Sequence, residues 1–160
     1  MLVMPFDILY RSARWELLKT LWNILISPFG QVKFRHFFMA DILTSITIPV
    51  ADICTSVCFF FDGHFLDNTE SDCFWLPTSI KIVVVLPYWF RFAQCLNKFY
   101  NTRMWFPHLV NAGKYGMSIV VVVLPYFNVA LAIMIPIRII ATLYSYSWDI
   151  VMDWGFLRSR

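Results

Sequence analysis

The chain is 160 residues long, 59% hydrophobic, 19% aromatic and only 14% charged, with a formal net charge of +3. Sixteen Phe, seven Trp and seven Tyr are too many to hide in a globule of this size, because small domains bury only about 60–70% of their surface. These figures exclude a soluble enzyme, a disordered chain and a disulfide scaffold, and with no Lys/Arg run they exclude nucleic acid as a partner. The composition predicts an all-α membrane protein whose aromatic side chains are solvated by lipid.

Residues 1–8 lack the basic, then apolar, layout of a signal peptide and already contain Pro5 and Asp7. Over residues 12–26, Trp15, Leu18, Leu21, Trp22 and Leu25 recur at helix-face spacing, interrupted by Arg14, Glu16 and Lys19. That pattern predicts an amphipathic helix lying on lipid headgroups; a helix packed against a neighbouring domain has the same signature. Ser27-Pro28-Phe29-Gly30 ends it. Residues 1–36 are therefore read as a cytosolic or interfacial segment. Four spans are expected after it, at about 37–61, 76–96, 114–127 and 131–154, with a polar, aromatic connection over 97–113. The first holds only Asp41 and Asp52 as charges and, at about 37 Å, is long enough to cross a hydrocarbon core of roughly 30 Å. The third is kept short by Pro125 and Asn128.

Charge orients these spans. Arg11, Arg14, Lys19, Lys33 and Arg35 precede the first, while the loop after it carries Asp62, Asp67, Glu70 and Asp72 and no Lys or Arg. Lys98, Arg103 and Lys114 flank the second connection, and Arg158 and Arg160 lie in the tail. The positive-inside rule places both termini and the second connection in the cytosol. Cys54 and Cys95 fall inside spans as small apolar fillers. Cys58 and Cys73 sit on the outward side, either bridged or as two free thiols. No Cys/His cluster has zinc spacing, so no metal or cofactor is expected.

The informative residues are ionisable groups inside the spans. A charge at mid-bilayer costs at least about 2.5–3.5 kcal/mol, so such groups face a polar cavity or each other. If residues 37–61 form one helix, Asp41, Thr44, Ser45, Asp52 and Thr55 share a face, since eleven residues return to within about 20°. Pro49 would free a backbone carbonyl in that helix. Arg138, Thr142, Ser145, Asp149 and Asp153 form a second stripe on the fourth span. Two such stripes suggest a lined pathway; Asp–Arg pairs that only fix packing are the alternative. Asp41, Lys114, Asp149 and Asp153 converge near one level toward the cytosol, and Lys114 is expected to open its helix, where free N–H groups favour an anion. Such a set suits a small oxyanion that still carries a proton, bound by the cation while carboxylates accept its O–H groups.

Phe106-Pro107-His108-Leu109-Val110-Asn111-Ala112-Gly113-Lys114-Tyr115 resembles the signature of the EXS domain family. Three further blocks agree in order: Phe37-Phe38-Met39-Ala40-Asp41, Pro87-Tyr88-Trp89-Phe90-Arg91-Phe92-Ala93-Gln94-Cys95-Leu96, and Trp148-Asp149-Ile150-Val151-Met152-Asp153-Trp154-Gly155. The resemblance runs from about Arg11 to the C-terminus. It implies a helical transporter that exports inorganic phosphate from the cytosol, at the Golgi or the plasma membrane. Asp41, Lys114, Tyr115, Asp149 and Asp153 are implied as phosphate-binding residues, with Asp52 and Arg91 also at family positions. Arg91 could equally serve headgroups or a helix cap. Arg138 belongs to the polar stripe alone. In the family, further arginine-bearing helices follow, and an SPX domain senses inositol pyrophosphates. The chain is accordingly expected to be part of a longer EXS protein, or a reduced form completed by a partner or a second copy. The alternative within the family is a Golgi retention or recycling factor. An intramembrane aspartyl protease is excluded by the lack of Gly-x-Gly-Asp. His36, His64 and His108, read as loop or interface residues, supply no hydrolase triad. No catalytic residues are expected.

Overall fold

The computed structural model describes residues 10–27, 30, 32–61 and 76–156. They form six α-helices and no strand: α1 Arg11–Leu25, α2 Phe34–Ser45, α3 Thr47–Phe61, α4 Leu76–Thr102, α5 Trp105–Val123 and α6 Leu131–Trp148. A 3-10 turn, Leu124–Phe127, follows α5, and a π-helical turn, Asp149–Asp153, ends α6. Residues 105–127 and 131–153 are each long and apolar enough to cross a membrane, and the bent pair α2–α3 qualifies as a third crossing. This is an all-α membrane protein. At about 40 Å by helix rise, α4 has the length to cross, but Lys81 and Arg91 make it less apolar than the other three.

α1 buries Ile24 and Thr20 and leaves Trp15, Trp22 and Leu25 exposed. Glu16 ties it to α2, accepting from Lys19 Nζ at 2.9 Å and from Arg35 Nη1 at 3.3 Å. Those two cations, Lys19 first, hold the Glu16 carboxyl below the usual glutamate range. Asn97 of α4 donates to the carbonyls of Ser27 and Gly30 at 2.8 and 3.0 Å, fixing the connection between α1 and α2. α1 thus packs on α2 along one edge and leaves its Trp15–Trp22–Leu25 face exposed.

The single helix expected over 37–61 is broken. α2 and α3 meet at Ile46 and diverge by 52°. Pro49 has no N–H to offer the Ser45 carbonyl. Three hydroxyls also bond back to backbone carbonyls at the bend: Thr44 and Ser45 to Asp41, at 2.7 and 3.2 Å, and Thr47 to Thr44 at 3.0 Å. Back-bonding of this kind loosens the regular ladder and bends helices. The shared face argued for Asp41 and Asp52 required a straight axis, and the bend separates them.

The connection expected over 97–113 is helical instead. α4 continues to Thr102, the chain reverses at Arg103 (φ 56°) and Met104, and α5 begins at Trp105. Asn97 is half-buried against the α1–α2 connection while Asn101, Thr102 and Arg103 are exposed at the reversal, and this run of polar residues is why the composition reads as a loop. The backbone of α5 is kinked at Phe106 (φ −100°, ψ 131°), and Lys114 lies about 10 Å inside the regular helix that follows, not at a helix start. The tightest packing joins α4 and α5, where Cys95, Ala112 and Tyr115 are buried against Phe37, Tyr88 and Phe92. Gly113 lets α6 approach α5: a methyl group there would sit 2.9 Å from Tyr144 Oη, which donates to the Val110 carbonyl at 2.6 Å.

Candidate functional site

A chain of charged contacts crosses from α2 through α4 and α5 to α6. Arg91, in the middle of α4 and 4% exposed, is its hub. Its Nε lies 2.6 Å from Asp41 Oδ1 and donates to Tyr115 Oη at 3.0 Å. Its Nη1 donates to Gln94 Oε1 at 3.1 Å, and the guanidinium lies 4.7 Å from the ring centres of both Phe37 and Tyr115. Tyr115 completes a triangle by donating to Asp41 Oδ1 at 2.7 Å. The i,i+3 spacing of Arg91 and Gln94 puts both on the inner face of α4. Gln94, fully buried, also reaches α2 by donating to the His36 carbonyl at 3.3 Å.

The adjacent residue of α5 begins the second half. Lys114 Nζ bonds Asp149 Oδ1 at 3.0 Å and lies 3.9 Å from Asp153 Oδ2. It also lies 5.0 Å from the Tyr115 ring centre, so the two halves share one wall. The π-helical turn matters here. The wider π register, marked by Trp154 N–H donating to Asp149 O at 2.8 Å, brings residues four apart close to the same azimuth and turns both carboxylates toward Lys114. While Arg91 and Lys114 are buried, Asp41, Asp149 and Asp153 keep 42–56% of their side-chain surface exposed. The cations are therefore held from inside while the carboxylates line an accessible surface.

Asp41, Lys114, Tyr115, Asp149 and Asp153 are all brought together. Arg91 joins them, being neither a headgroup contact nor a helix cap. Asp52 is not: it lies beyond the bend, exposed, and makes no hydrogen bond or ion pair to this cluster among the described residues. Arg138 stands apart as well, on the wall of an open cavity of about 590 Å³ between α4, α5 and α6. Gln94 escaped notice in the sequence, although a carboxamide one turn from an arginine inside an apolar helix is a legible signal. Cys54 and Cys95 carry free thiols, Cys95 being buried. Cys58 is buried, but its pairing with Cys73 lies outside the described residues, as do His64 and the acidic loop. No metal-ligand cluster occurs among the described residues.

This arrangement can hold an oxyanion between two buried cations, with carboxylates at hand to take up its O–H protons. Comparison with known proteins gives the same region a family. The EXS family model matches residues 1–160. The chain is 35% identical to a xenotropic and polytropic retrovirus receptor 1 homolog of Danio rerio, over 96% of this chain and 25% of that protein. It is 33% identical to SPX and EXS domain-containing protein 1 of Dictyostelium discoideum, over 96% of this chain and 18% of that protein. It is 31% identical to human solute carrier family 53 member 1, over 96% of this chain and 25% of that protein. The chain thus spans a quarter or less of the length of these relatives. With the family pattern covering every residue, and with its blocks building the charged cluster, the chain belongs to the EXS family.

Proposed function

We propose that the chain forms part of the membrane pathway by which an EXS protein moves inorganic phosphate out of the cytosol. In this reading residues 37–160 belong to the transmembrane domain and cross four times, with residues 1–36 at the cytosolic interface. The basic segments face the cytosol, and the exposed carboxylate edge of the cluster opens on that side. The Golgi and the plasma membrane are the two locations for such an exporter, and phosphate homeostasis is its role.

The observation that carries the reading is the convergence of two buried cations from α4 and α5 with three carboxylates from α2 and the turn that ends α6, within 4 Å contacts. Three carboxylates against two cations leave a formal charge of −3 + 2 = −1. An arriving phosphate displaces carboxylate oxygens from Arg91 and Lys114, and those carboxylates then accept its P–OH hydrogen bonds. A monohydrogen or dihydrogen phosphate fits this exchange, because a proton-free anion would face the carboxylates with nothing to donate. Tyr115 moves with the exchange, its hydroxyl able to donate to phosphate once Asp41 is released.

The test is phosphate efflux from loaded cells expressing the protein, with insertion followed separately by protease protection. Lys114→Ala and Asp153→Asn are each expected to lower efflux at least tenfold, equivalent to about 1.4 kcal/mol or more of transition-state stabilisation, while insertion is retained. Undiminished efflux in both variants, at equal surface amounts, would overturn the proposal.

A further inference from the structure

The cavity between α4, α5 and α6 extends the candidate site rather than lying apart from it. Asp149, the partner of Lys114, forms part of its wall. From there α6 contributes Ser145, Thr142 and Arg138, spaced so that each lies near the same azimuth as Asp149. α5 contributes Ser118, one turn beyond Lys114, whose hydroxyl donates to the Lys114 carbonyl at 3.1 Å. Tyr88 of α4 closes the third side.

Arg138 is the unusual member. It sits in an otherwise apolar stretch of α6, about 10 Å from the helix start by helix rise, and its guanidinium makes no hydrogen bond or ion pair among the described residues. Asp149 lies about 16 Å further along the axis, and helical side chains lean toward the N-terminus, so Arg138 reaches away from it. A direct ion pair between the two is out of range, and one phosphate cannot touch Arg138 and Lys114 together. Arg138 and Thr142 are exposed on the open side of the cavity, and a charge within a membrane-crossing helix needs a partner. The cavity supplies room for one, and hydroxyls of the right kind. Those of Thr142 and Ser118 donate to helix carbonyls, leaving their oxygens as acceptors for a P–OH proton. Those of Ser145 and Tyr88 make no hydrogen bond among the described residues and are able to donate.

We propose that Arg138, with Ser145, Thr142, Ser118 and Tyr88, forms a second oxyanion station, one and a half nanometres or so outward from the Lys114 cluster. It takes inorganic phosphate as it leaves the first. The inference rests on the reading of the Lys114 cluster as a phosphate site. Headgroup phosphate of an anionic lipid has the same chemistry, and the choice of vesicle lipid in the test separates the two sources.

The test is equilibrium binding of radiolabelled inorganic phosphate to the full-length protein in phosphatidylcholine vesicles. The wild-type protein is expected to bind two phosphates per chain. Arg138→Gln is expected to lose one or weaken it at least tenfold, and Arg138→Lys to keep most of it. Ser145→Ala, a milder change, is expected to weaken the same site several-fold. Unchanged stoichiometry and affinity in Arg138→Gln would overturn the inference. So would an effect seen only on binding to phosphatidylglycerol-containing vesicles, which would make Arg138 a lipid contact. Lys114→Ala separates the two proposals: loss of the remaining phosphate supports the first site, whereas loss confined to Arg138→Gln leaves the second standing and removes the first.

Discussion

Arg91 occupies a place that a lysine could not fill. Its Nε is shared between Asp41 and Tyr115 while Nη1 reaches Gln94, and its flat face stacks between two aromatic rings. An ammonium group is a point charge without that fork or that face. Arg91→Lys is therefore expected to lower phosphate efflux at least tenfold despite the conserved charge, measured beside Lys98→Arg as a control for basic exchange. Gln94→Leu tests the support behind it. The change keeps the volume but strips Arg91 Nη1 of its acceptor, which costs about 1–3 kcal/mol when the group is buried. The expected readout is a lower midpoint of thermal unfolding in detergent, with efflux reduced. Tyr115→Phe removes only a hydroxyl, and its effect reads together the bond to Asp41 and the bond from Arg91. Of these residues, Asp41 and Lys114 stand out in the sequence as charges in apolar surroundings. Gln94 is legible only through its spacing from Arg91, and the Tyr115 hydroxyl, being uncharged, violates no hydropathy rule.

Among the helices, the bend at Ile46 and the π turn at Asp149 are the two departures from regular geometry that shape the cluster. The first aims Asp41 at Arg91 and carries α3 away from it. Pro49→Ala restores an N–H for the Ser45 carbonyl and is expected to narrow the 52° bend, read as an increased distance between spin labels on α2 and α3. An unchanged distance would assign the bend to the back-bonding hydroxyls alone. α1 offers a pH test outside the membrane. Because Lys19 and Arg35 hold Glu16 below its usual range, its contribution is present above the ordinary glutamate pKa and is lost as pH falls through the lowered one. Acidification is expected to lower the amide protection factors of α1, exchange being corrected for its intrinsic pH dependence, and Glu16→Gln to remove that loss of protection. Because Glu16 is exposed, the effect is small. The first departure was partly legible beforehand and the second was not. Pro49 announced a weak point, but its angle depends on which hydroxyls bond back, and a π turn has no sequence signature.

For the molecule as a whole, close approach between helices sets how the two halves of the site meet. Gly113 is the contact point of α5 with α6, and adding a methyl there drives against Tyr144 Oη. Gly113→Ala is expected to break the Tyr144–Val110 bond and cost about 1–2 kcal/mol, seen as a lower unfolding midpoint together with weaker Lys114-dependent phosphate binding. If the midpoint held, the ring would have turned aside without cost. What the sequence by itself determined is the solvent and the class: too little charge and too many aromatics for water, hence helices in lipid, and acids and a lysine placed where hydrocarbon forbids them singly. Its four ordered blocks were likewise enough to point to the EXS family. What only the tertiary structure decided is who meets whom. Periodicity assigns residues to faces on the assumption of straight, separate helices. The bend divorced Asp52 from Asp41, and the helix that follows the kink at Phe106 took Lys114 off a helix end and into a buried wall. Arg91 became the hub for the same reason: contacts across helices depend on the angles and offsets between axes, and no spacing along a chain encodes those.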